Sequence, residues 1–418
     1  MRLLMTNNTL SARAGTELYV RDVALRLREL GHEVVCFTFD QGEVAEEIRA
    51  GGVQVVSSLA RNLGPFDLIH GHHRFETMLA AMAFPEVPVL SICHSPSERI
   101  WQDAPSFFPN IVQYAAVDIA CRDRLVKIGG LPEGEIPLLL NFADTRRFQS
   151  RGPLPAQPRT ALVFSNYAHE TTHLPALRQA CEERGITLDA VGQAVGRVVE
   201  RPEDLLPSYD LVFAKGRAAI EAMVTGCAVI LADFFGVGPL ITSDQLDYLR
   251  PLSFGHLAAS ESFSVELIAE QIHHYDAADA AEVSRRMRSE ASLDGYMTGL
   301  LAVYEKAIAK PVPRFDPWEK GELLIRELVS LAKDAKNRLP VFEQMVNGSQ
   351  AEILKLHGHL RDAEEIIRLE REKVATLRAK KTGLQKKMQV LVEKNQKLKD
   401  EFNLKQGHQK WWRKWFSR

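Results

Sequence analysis

Toward its end, the chain repeats apolar residues at alternating spacings of three and four, and this heptad pattern constrains the fold more than any other feature. Such a pattern sustained over about seven heptads is typical of a long coiled coil. It predicts a globular body followed by a helical stalk on the order of 75 Å long, at about 1.5 Å per residue. The apolar a and d positions are Ile353, Leu356, Leu360, Ala363, Ile367, Val374, Leu377, Leu384, Met388, Leu391, Leu398 and Phe402.

Three polar residues interrupt this seam. Asn395 falls at an a position, where a buried asparagine fixes the register and favours a parallel dimer. Lys381 at a and Glu370 at d weaken the seam locally. The pattern predicts a parallel homodimer. The alternative is a long solvated helix that packs back on the body, which a seam this narrow disfavours.

The composition describes an ordinary folded protein. The chain has 418 residues, of which 45% are hydrophobic, and a formal net charge of -2, so nothing global indicates nucleic-acid binding. There is no charged-then-apolar leader and no run of about eighteen apolar residues, which predicts a cytoplasmic protein. The cysteines lack metal-ligand spacing and are expected to be buried thiols in a reducing compartment. They are Cys36, Cys93, Cys121, Cys181 and Cys227.

Short apolar runs alternate with amphipathic segments in two successive sets, which predicts βαβ units around parallel sheets. The first set predicts a helix at Glu17–Leu30 and strands at Arg2–Thr6, Glu33–Phe39, Val53–Val56, Leu68–His70, Val89–Cys93 and Val117–Ala120. The second predicts strands at Thr160–Ser165, Ile186–Val191, Leu211–Ala214 and Cys227–Ala232, and helices at Leu174–Arg184, Arg217–Thr225, Val265–Tyr275 and Ala280–Lys310.

The predicted fold is therefore α/β, with two Rossmann-like doubly wound domains followed by a long α-helical coiled coil. The domains are expected at residues 1–150 and 151–312, with a helical linker at 313–345 that includes helix Trp318–Leu339, the coiled coil at 346–405 and a basic-aromatic tail at 406–418. Because ligands bind at the carboxyl ends of parallel strands, we expect the site in a cleft between the two sheets.

Five short motifs follow one another along roughly residues 1 to 305. They are Ala14-Gly15-Thr16-Glu17 before Leu18-Tyr19-Val20-Arg21-Asp22 and then Gly31-His32-Glu33-Val34, Asp67-Leu68-Ile69-His70-Gly71-His72, His94, Leu140-Asn141-Phe142-Ala143-Asp144 with Phe148, and Ile220-Glu221-Ala222-Met223 with Gly226. In this order they resemble the motifs of GT-B glycosyltransferases of the retaining family-4-like group. The resemblance implies a nucleotide-diphosphate sugar as donor, retention of configuration and no bound metal or other cofactor.

In the first domain, Gly15, Glu17 and His94 are the candidate catalytic residues. Glycine between a strand and a helix allows close backbone approach, and the helix N-terminus attracts phosphate. The resemblance places this loop, with Glu17 in the same motif, near the donor diphosphate and the acceptor, and His94 beside the donor sugar. The alternatives are a simple strand-to-helix turn and a structural histidine. We reject a zinc site at His70, His72 and His73, because no carboxylate or cysteine is in register and alternate strand residues point apart.

In the second domain, Lys215, Gly216, Arg217 and Glu221 are the candidate donor-binding residues. Basic residues on either side of a glycine at a helix N-terminus suit a diphosphate. The resemblance gives Glu221 the role of holding ribose hydroxyls, which a carboxylate can accept as hydrogen bonds. The alternative is a set of surface charges on a capped helix.

The second domain also departs from the family pattern. The position of the first family glutamate holds Phe213, and Ala168-His169-Glu170-Thr171 stands where the family has Arg and Lys. The domain is expected to lack about one βα unit. These differences put the donor, the mechanism and activity itself in question.

The tail Lys410-Trp411-Trp412-Arg413-Lys414-Trp415-Phe416 mixes aromatic and basic residues. It suits a membrane interface, with Trp411, Trp412 and Trp415 at headgroup depth. A cluster that binds a protein partner or packs on itself is equally consistent, whereas nucleic acid is disfavoured.

These features predict a glycosyltransferase that moves a sugar from a nucleotide-diphosphate donor to a cell-envelope glycan or glycolipid at the inner face of the cytoplasmic membrane. The alternative is a catalytically degenerate GT-B domain that acts as a coiled-coil scaffold in a glycan-assembly complex. A sugar-nucleotide epimerase of the same shape ranks below both.

Overall fold

A computed structural model describes residues 1–96, 108–314 and 371–401, together with single positions between 321 and 369. The chain divides into two compact units, Met1–Ile325 and Arg326–Arg418. The heptad residues before 371, Phe402 and the tail with Trp411, Trp412 and Trp415 lie outside the described residues, as does most of the predicted helix Trp318–Leu339.

The first unit begins with a six-stranded parallel sheet in the order β5-β3-β1-β6-β7-β8. The central strands are almost wholly apolar because helices cover both faces of the sheet. The strands are β1 Arg2–Thr6, β3 Glu33–Phe37, β5 Gln54–Val56, β6 Leu68–His72, β7 Val89–Cys93 and β8 Ile111–Ala116, and a separate small sheet pairs β2 Thr9–Leu10 with β4 Asp40–Gln41. The helices are α1 Gly15–Glu29, α2 Glu43–Ala50, α3 Arg74–Ala83 and α4 Ile119–Gly129.

The strand predicted at Val117–Ala120 is wrong. The sixth strand ends at Ala116, and Asp118 caps the following helix: its carboxylate accepts a hydrogen bond from the Cys121 amide at 2.7 Å. An aspartate in this position favours a helix start over continuation of a strand.

A second sheet follows, in the order β10-β9-β11-β12-β13. Its strands are β9 Thr160–Phe164, β10 Thr187–Val191, β11 Leu211–Ala214, β12 Ala228–Asp233 and β13 Gly236–Leu240. The first four are parallel, whereas β13 is antiparallel to β12 and was not predicted. The helices are α5 Leu174–Glu182, α6 Pro202–Leu205, α7 Gly216–Thr225, α8 Leu246–Leu249, α9 Val265–His273, α10 Ala277–Glu290 and α11 Leu293–Ile308.

The single helix predicted at Ala280–Lys310 is two helices. Ala291 ends the first, and Ser292 caps the second with its hydroxyl 3.1 Å from the Gly295 amide. Although α11 follows the second sheet in sequence, it packs into the core of the first. The α11 side chains in that core are Leu293, Tyr296, Met297, Leu300, Tyr304 and Ala307.

Residues 371–401 form one helix, α12, with exposed side chains throughout. No helix in the described part of the chain is long and apolar enough to span a membrane. All five cysteines are buried free thiols, as predicted.

Candidate active site

The strand order of the first sheet reverses between β1 and β6, and such a switch point is where ligands bind in doubly wound sheets. Helix α1 begins beside it at Gly15, and β6 ends beside it at His72, directly before His73. His73 has a positive φ of 64°, and its Nε2 lies 3.4 Å from the Thr16 hydroxyl. The motif after β1 and the motif after β6 therefore meet at one point of the sheet edge.

Gly15 leaves open space over the start of α1. A Cβ built on it would meet no heavy atom within 4 Å, and Ala14 before it caps the helix with no side-chain hydrogen bond. The N-terminus of α1 is therefore accessible to a ligand, and a helix N-terminus attracts anions.

Glu17 lies two residues after Gly15 along the helix. It is buried, and its Oε2 accepts a hydrogen bond from the Thr16 hydroxyl at 3.0 Å. Burial raises the pKa of Glu17 above its usual value despite that hydrogen bond. Glu17 is thus a desolvated carboxyl group beside the open helix end, which is an environment in which a carboxyl can exchange a proton.

Three histidine rings surround Tyr19 beneath this edge. The ring of His72 lies 4.4 Å from that of His70 and 4.6 Å from that of His94, measured between centroids. The Tyr19 ring is 5.0 Å from His72 and 4.7 Å from His94. His70 Nδ1 lies 2.5 Å from the hydroxyl of Tyr304, on α11. We call Tyr19, His70, His72 and His94 the histidine cluster.

Desolvation keeps these imidazoles neutral. It lowers the pKa of His70 to about 3, and burial lowers the pKa of His73 to about 4. It also lowers the pKa values of His72 and His94 well below their usual value, with neighbouring histidines adding to the effect. His94 Nε2 has no hydrogen-bond partner within the described residues. A neutral imidazole there can donate or accept one hydrogen bond from a ligand.

His70 and His72 lie closer together than the sequence predicts. Alternation along a strand separates His72 from His73, but it places His70 and His72 on the same face, and their rings are in fact neighbours. Across residues 1–96, 108–314 and 371–401, no group of three or more His, Cys, Asp or Glu residues is arranged to hold a metal ion.

The strand order of the second sheet reverses between β9 and β11, and Lys215 follows β11 at this point. Its ammonium forms a close ion pair with Asp233, which is fully buried at the end of β12. It also lies 5.3 Å from the ring centres of Tyr167, Phe234 and Phe235. These rings are 53%, 42% and 59% exposed, so a cation and three accessible aromatic rings share one sheet edge.

Arg217 and Glu221, on the first turns of α7, face a different partner. The Arg217 guanidinium forms a close ion pair with Asp22 of α1, and its Nε donates to Glu221 at 3.0 Å. Arg147 lies 3.4 Å from the same aspartate. The exposed fractions of the Arg217, Glu221 and Asp22 side chains are only 11%, 7% and 5%. We call Asp22, Arg147, Arg217 and Glu221 the interdomain ion cluster, because it joins helices that cover different sheets.

The ion cluster has a consistent electrostatic pattern. Burial alone would raise the pKa of Asp22, but the charges of Arg217, Arg21 and Arg147 hold it below its usual value. Burial raises the pKa of Glu221, and the attraction of Arg217 does not fully offset this effect. Asp22 is therefore the principal counter-ion of Arg217.

Comparison with known proteins agrees with this geometry. Residues 13–147 match the family model described as Glycosyltransferase Family 4. Over these residues the chain is similar to that family, in agreement with the predicted resemblance. The two sheets described above agree with the predicted fold of two Rossmann-like domains.

Solved structures share the glycosyltransferase fold at low sequence identity. A glycosyltransferase from Rickettsia africae has a TM-score of 0.53 at 12% identity, covering 74% of this chain and 99% of that chain. HepE of Anabaena, in complex with UDP and glucose, has a TM-score of 0.52 at 14% identity, covering 73% and 99%. No curated protein matches the sequence.

The structure brings together some of the predicted site residues and separates others. Gly15, Glu17 and His94 gather at the edge of the first sheet. Lys215 and Arg217, predicted as two arms of one diphosphate site, point to different acids. Phe213 is fully buried within the second sheet, so the position of the missing family glutamate faces the core.

The residues predicted to form the site did not include Asp22, Asp233 or the aromatic residues near Lys215. Asp22 carried a recognisable signal, since Arg21-Asp22 interrupts an otherwise apolar stretch of α1. Asp233 is the last residue of β12, and Phe234-Phe235 directly follow it, where strand-end residues of a parallel sheet reach the binding edge. Their proximity to Lys215 depends on the pairing of β11 with β12, which no local pattern encodes.

Proposed function

We propose that this glycosyltransferase uses a nucleotide-diphosphate sugar and transfers the sugar with retention to a cell-envelope glycan or glycolipid. The observation that carries the proposal is the open N-terminus of α1 at Gly15, with Glu17 and His94 at the same edge. An accessible helix end, a desolvated carboxyl and a neutral imidazole are groups that can bind a diphosphate sugar and stabilise charge that develops during transfer.

Lys215 and its surroundings support a nucleotide site on the second sheet. A lysine ammonium binds phosphate as a point charge, and exposed aromatic rings can stack on a nucleobase. Lys215 is 30% exposed while it is paired with Asp233. A diphosphate would thus bind the solvent-exposed side of the Lys215 ammonium while Asp233 stays bound on the buried side.

Arg217 and Glu221 enter the proposal through an exchange of partners. In the present structure Asp22 holds Arg217, and Arg217 in turn holds Glu221. A diphosphate that approached α7 would compete with Asp22 for the guanidinium, and Glu221 would become available to ribose hydroxyls. The cost of this exchange is the loss of a buried ion pair, which only a charged ligand can replace.

The proposed acceptor and the proposed location at the membrane rest on the family resemblance and on the composition of the C-terminal tail. We place the reaction at the inner face of the cytoplasmic membrane, with Trp411, Trp412 and Trp415 as contacts. The expectation that no metal is needed stays a prediction, since basic side chains and helix dipoles can offset diphosphate charge.

Calorimetric titration of the full-length protein tests the donor site. UDP-glucose and UDP come first, because HepE of Anabaena has been crystallised with UDP and glucose and with UDP-glucose. GDP and its sugar conjugates follow. We expect micromolar binding of one nucleotide, weakened at least about tenfold in Lys215→Ala and Arg217→Ala, and unchanged in Arg178→Ala, an exposed arginine of α5.

The scaffold function remains the second candidate, because Phe213 is buried where the family has a glutamate and Arg217 is already neutralised. A folded protein that binds none of these nucleotides would favour the scaffold. Nucleotide binding without sugar transfer to any envelope acceptor would favour it as well.

A further inference from the structure

Helix α12 is strongly basic, although the chain as a whole carries a net charge of -2. Its basic residues are Arg371, Lys373, Arg378, Lys380, Lys381, Lys386, Lys387, Lys394, Lys397 and Lys399. Its acidic residues are Glu372, Glu393, Asp400 and Glu401. The excess of positive charge on this helix favours binding to an anionic partner or surface.

Five large apolar residues of α12 form one exposed stripe, whereas Val390 lies off it at a c position. Leu377, Leu384, Leu391 and Leu398 occupy successive d positions and are 64%, 67%, 66% and 64% exposed. Met388, at an a position between them, is 65% exposed. This stripe is the part of the predicted seam that the structure describes, and its helical form brings these side chains to one face.

The charges are sorted around that stripe. Lysine occupies the first four g positions, directly beside the stripe, and Glu401 occupies the fifth at the end of the helix. The four lysines are Lys373, Lys380, Lys387 and Lys394. Glu372, Glu393 and Asp400 occupy f positions, on the side of the helix opposite the stripe. Lysine stems beside an apolar face can lie along it while their ammonium groups reach outward, and carboxylates opposite remain in water.

A second copy of the chain fits this helix poorly. In a parallel pair, each g residue faces the e residue of the next heptad in the other copy. Lys373 would face Arg378, Lys380 would face Gln385, Lys387 would face Val392, and Lys394 would face Lys399. No such pair is attractive and two are repulsive, so residues 371–401 lack the flanking charges that select self-pairing.

We propose that α12 lies on an anionic lipid surface, with its leucine stripe toward the acyl chains and its g-position lysines among the headgroup phosphates. Lysine flanks, an apolar stripe and modest overall hydrophobicity are the features of a helix that lies in a membrane interface. The sequence continues into Lys410-Trp411-Trp412-Arg413-Lys414-Trp415-Phe416, which has the composition of the same interface.

Vesicle flotation of the full-length protein tests this proposal, without any sugar nucleotide, so that its failure leaves the glycosyltransferase proposal untouched. The vesicles contain phosphatidylcholine alone or with about 30% phosphatidylglycerol. We expect binding only to the anionic vesicles. Leu384→Asp/Leu391→Asp should abolish that binding, and Lys387→Glu/Lys394→Glu should weaken it about tenfold or more.

The matched control is Lys386→Glu/Lys397→Glu, which changes the net charge equally but lies at f and c positions away from the stripe. It should weaken binding clearly less than Lys387→Glu/Lys394→Glu. Equal binding by the leucine variant and the unmodified protein would overturn the proposal and assign binding to the tail. A leucine variant that converts a dimer into a monomer in light scattering, with vesicle binding retained, would instead assign the stripe to a second copy.

Discussion

Gly15 and Gly216 each begin a helix at the binding edge of a sheet, but only one of them needs glycine for its backbone. Gly216 has a φ of 55°, in the left-handed region, whereas Gly15 has no such strain. A Cβ would meet nothing within 4 Å at either position. Substitutions at the two glycines can therefore distinguish the effect of a left-handed backbone from the effect of filling the open space.

We predict that Gly216→Ala lowers the free energy of unfolding by about 1 kcal/mol, because a left-handed backbone disfavours a side chain. Gly15→Ala should be neutral or stabilising by about 0.5 kcal/mol, since it reduces the freedom of the unfolded chain. Urea denaturation measures both values.

In Gly15→Leu, the larger side chain would fill the open space and should reduce sugar transfer while the protein stays folded. Full activity in that variant would contradict a ligand site over Gly15.

The neutral histidines predict a pH dependence of stability. An unfolded histidine has a pKa of about 6.5, whereas that of His70 is lowered to about 3. Below pH 6.5 the unfolded chain therefore takes up a proton that the folded chain does not, so the free energy of unfolding falls as the pH drops toward 3. Each such histidine costs at most about 1.4 kcal/mol per pH unit in this window.

Substitution of one histidine measures its contribution to the pH dependence of the free energy of unfolding. His70→Phe should reduce the loss of stability between pH 6.5 and 5.5 by about 1 kcal/mol relative to the unmodified protein. His169→Phe, at an exposed position, should leave the pH dependence unchanged. Urea titrations at the two pH values give the comparison. A parallel pH dependence of His70→Phe and the unmodified protein would show that His70 is accessible to protons in the fold.

At the scale of elements, α11 fixes the histidine cluster from a distant part of the sequence. Its Tyr304 hydroxyl lies 2.5 Å from His70 Nδ1, and both groups are buried. We expect Tyr304→Phe to cost about 1 to 3 kcal/mol of unfolding free energy, because a buried imidazole nitrogen loses its partner. Tyr248→Phe is the control, since Tyr248 is 71% exposed and should tolerate the change. An equal effect in both variants would mean that the hydroxyl contributes nothing at His70.

Most elements were predictable from periodicity, and the errors occurred where caps decide between alternatives. Strands Arg2–Thr6, Val89–Cys93 and Leu211–Ala214 have the predicted bounds because a short apolar run bounded by turn residues is typical of a buried strand. The wrong strand at Val117–Ala120 followed its apolar residues and ignored the cap formed by Asp118. Strand β13 was missed because Gly236, Gly238 and Pro239 disfavour a strand locally, and only pairing with β12 stabilises it.

The candidate site shows the same division between local and distant information. Strand-end residues such as His94 and Lys215 were predictable, because a parallel sheet delivers them to one edge. The ion pairs that join the two sheets could not be predicted from the sequence. Arg217 and Asp22 are separated by 195 positions, and their pairing depends on how the two sheets adjoin.

At the scale of the whole molecule, the interdomain ion cluster couples the two sheets energetically. We predict a coupling energy of about 2 kcal/mol between Asp22→Asn and Arg217→Gln in a double-mutant cycle, because the pair is buried and close. Urea denaturation supplies the four free energies. The control cycle uses Glu282 and Arg285, an exposed pair with side chains 41% and 69% exposed, which should show no measurable coupling. Additive effects of Asp22→Asn and Arg217→Gln would argue against a connection between the domains at this point.

The return of α11 to the first core has a consequence for the order of events during synthesis. A ribosome that has released the first 150 residues has released a six-stranded sheet whose core still lacks Tyr296, Leu300 and Tyr304. Tyr19 and the histidines would then face water or a chaperone until the rest of the body emerges. The first part of the chain to be made is therefore among the last to be finished, and the nascent protein acquires its proposed catalytic edge only after the second sheet has been translated.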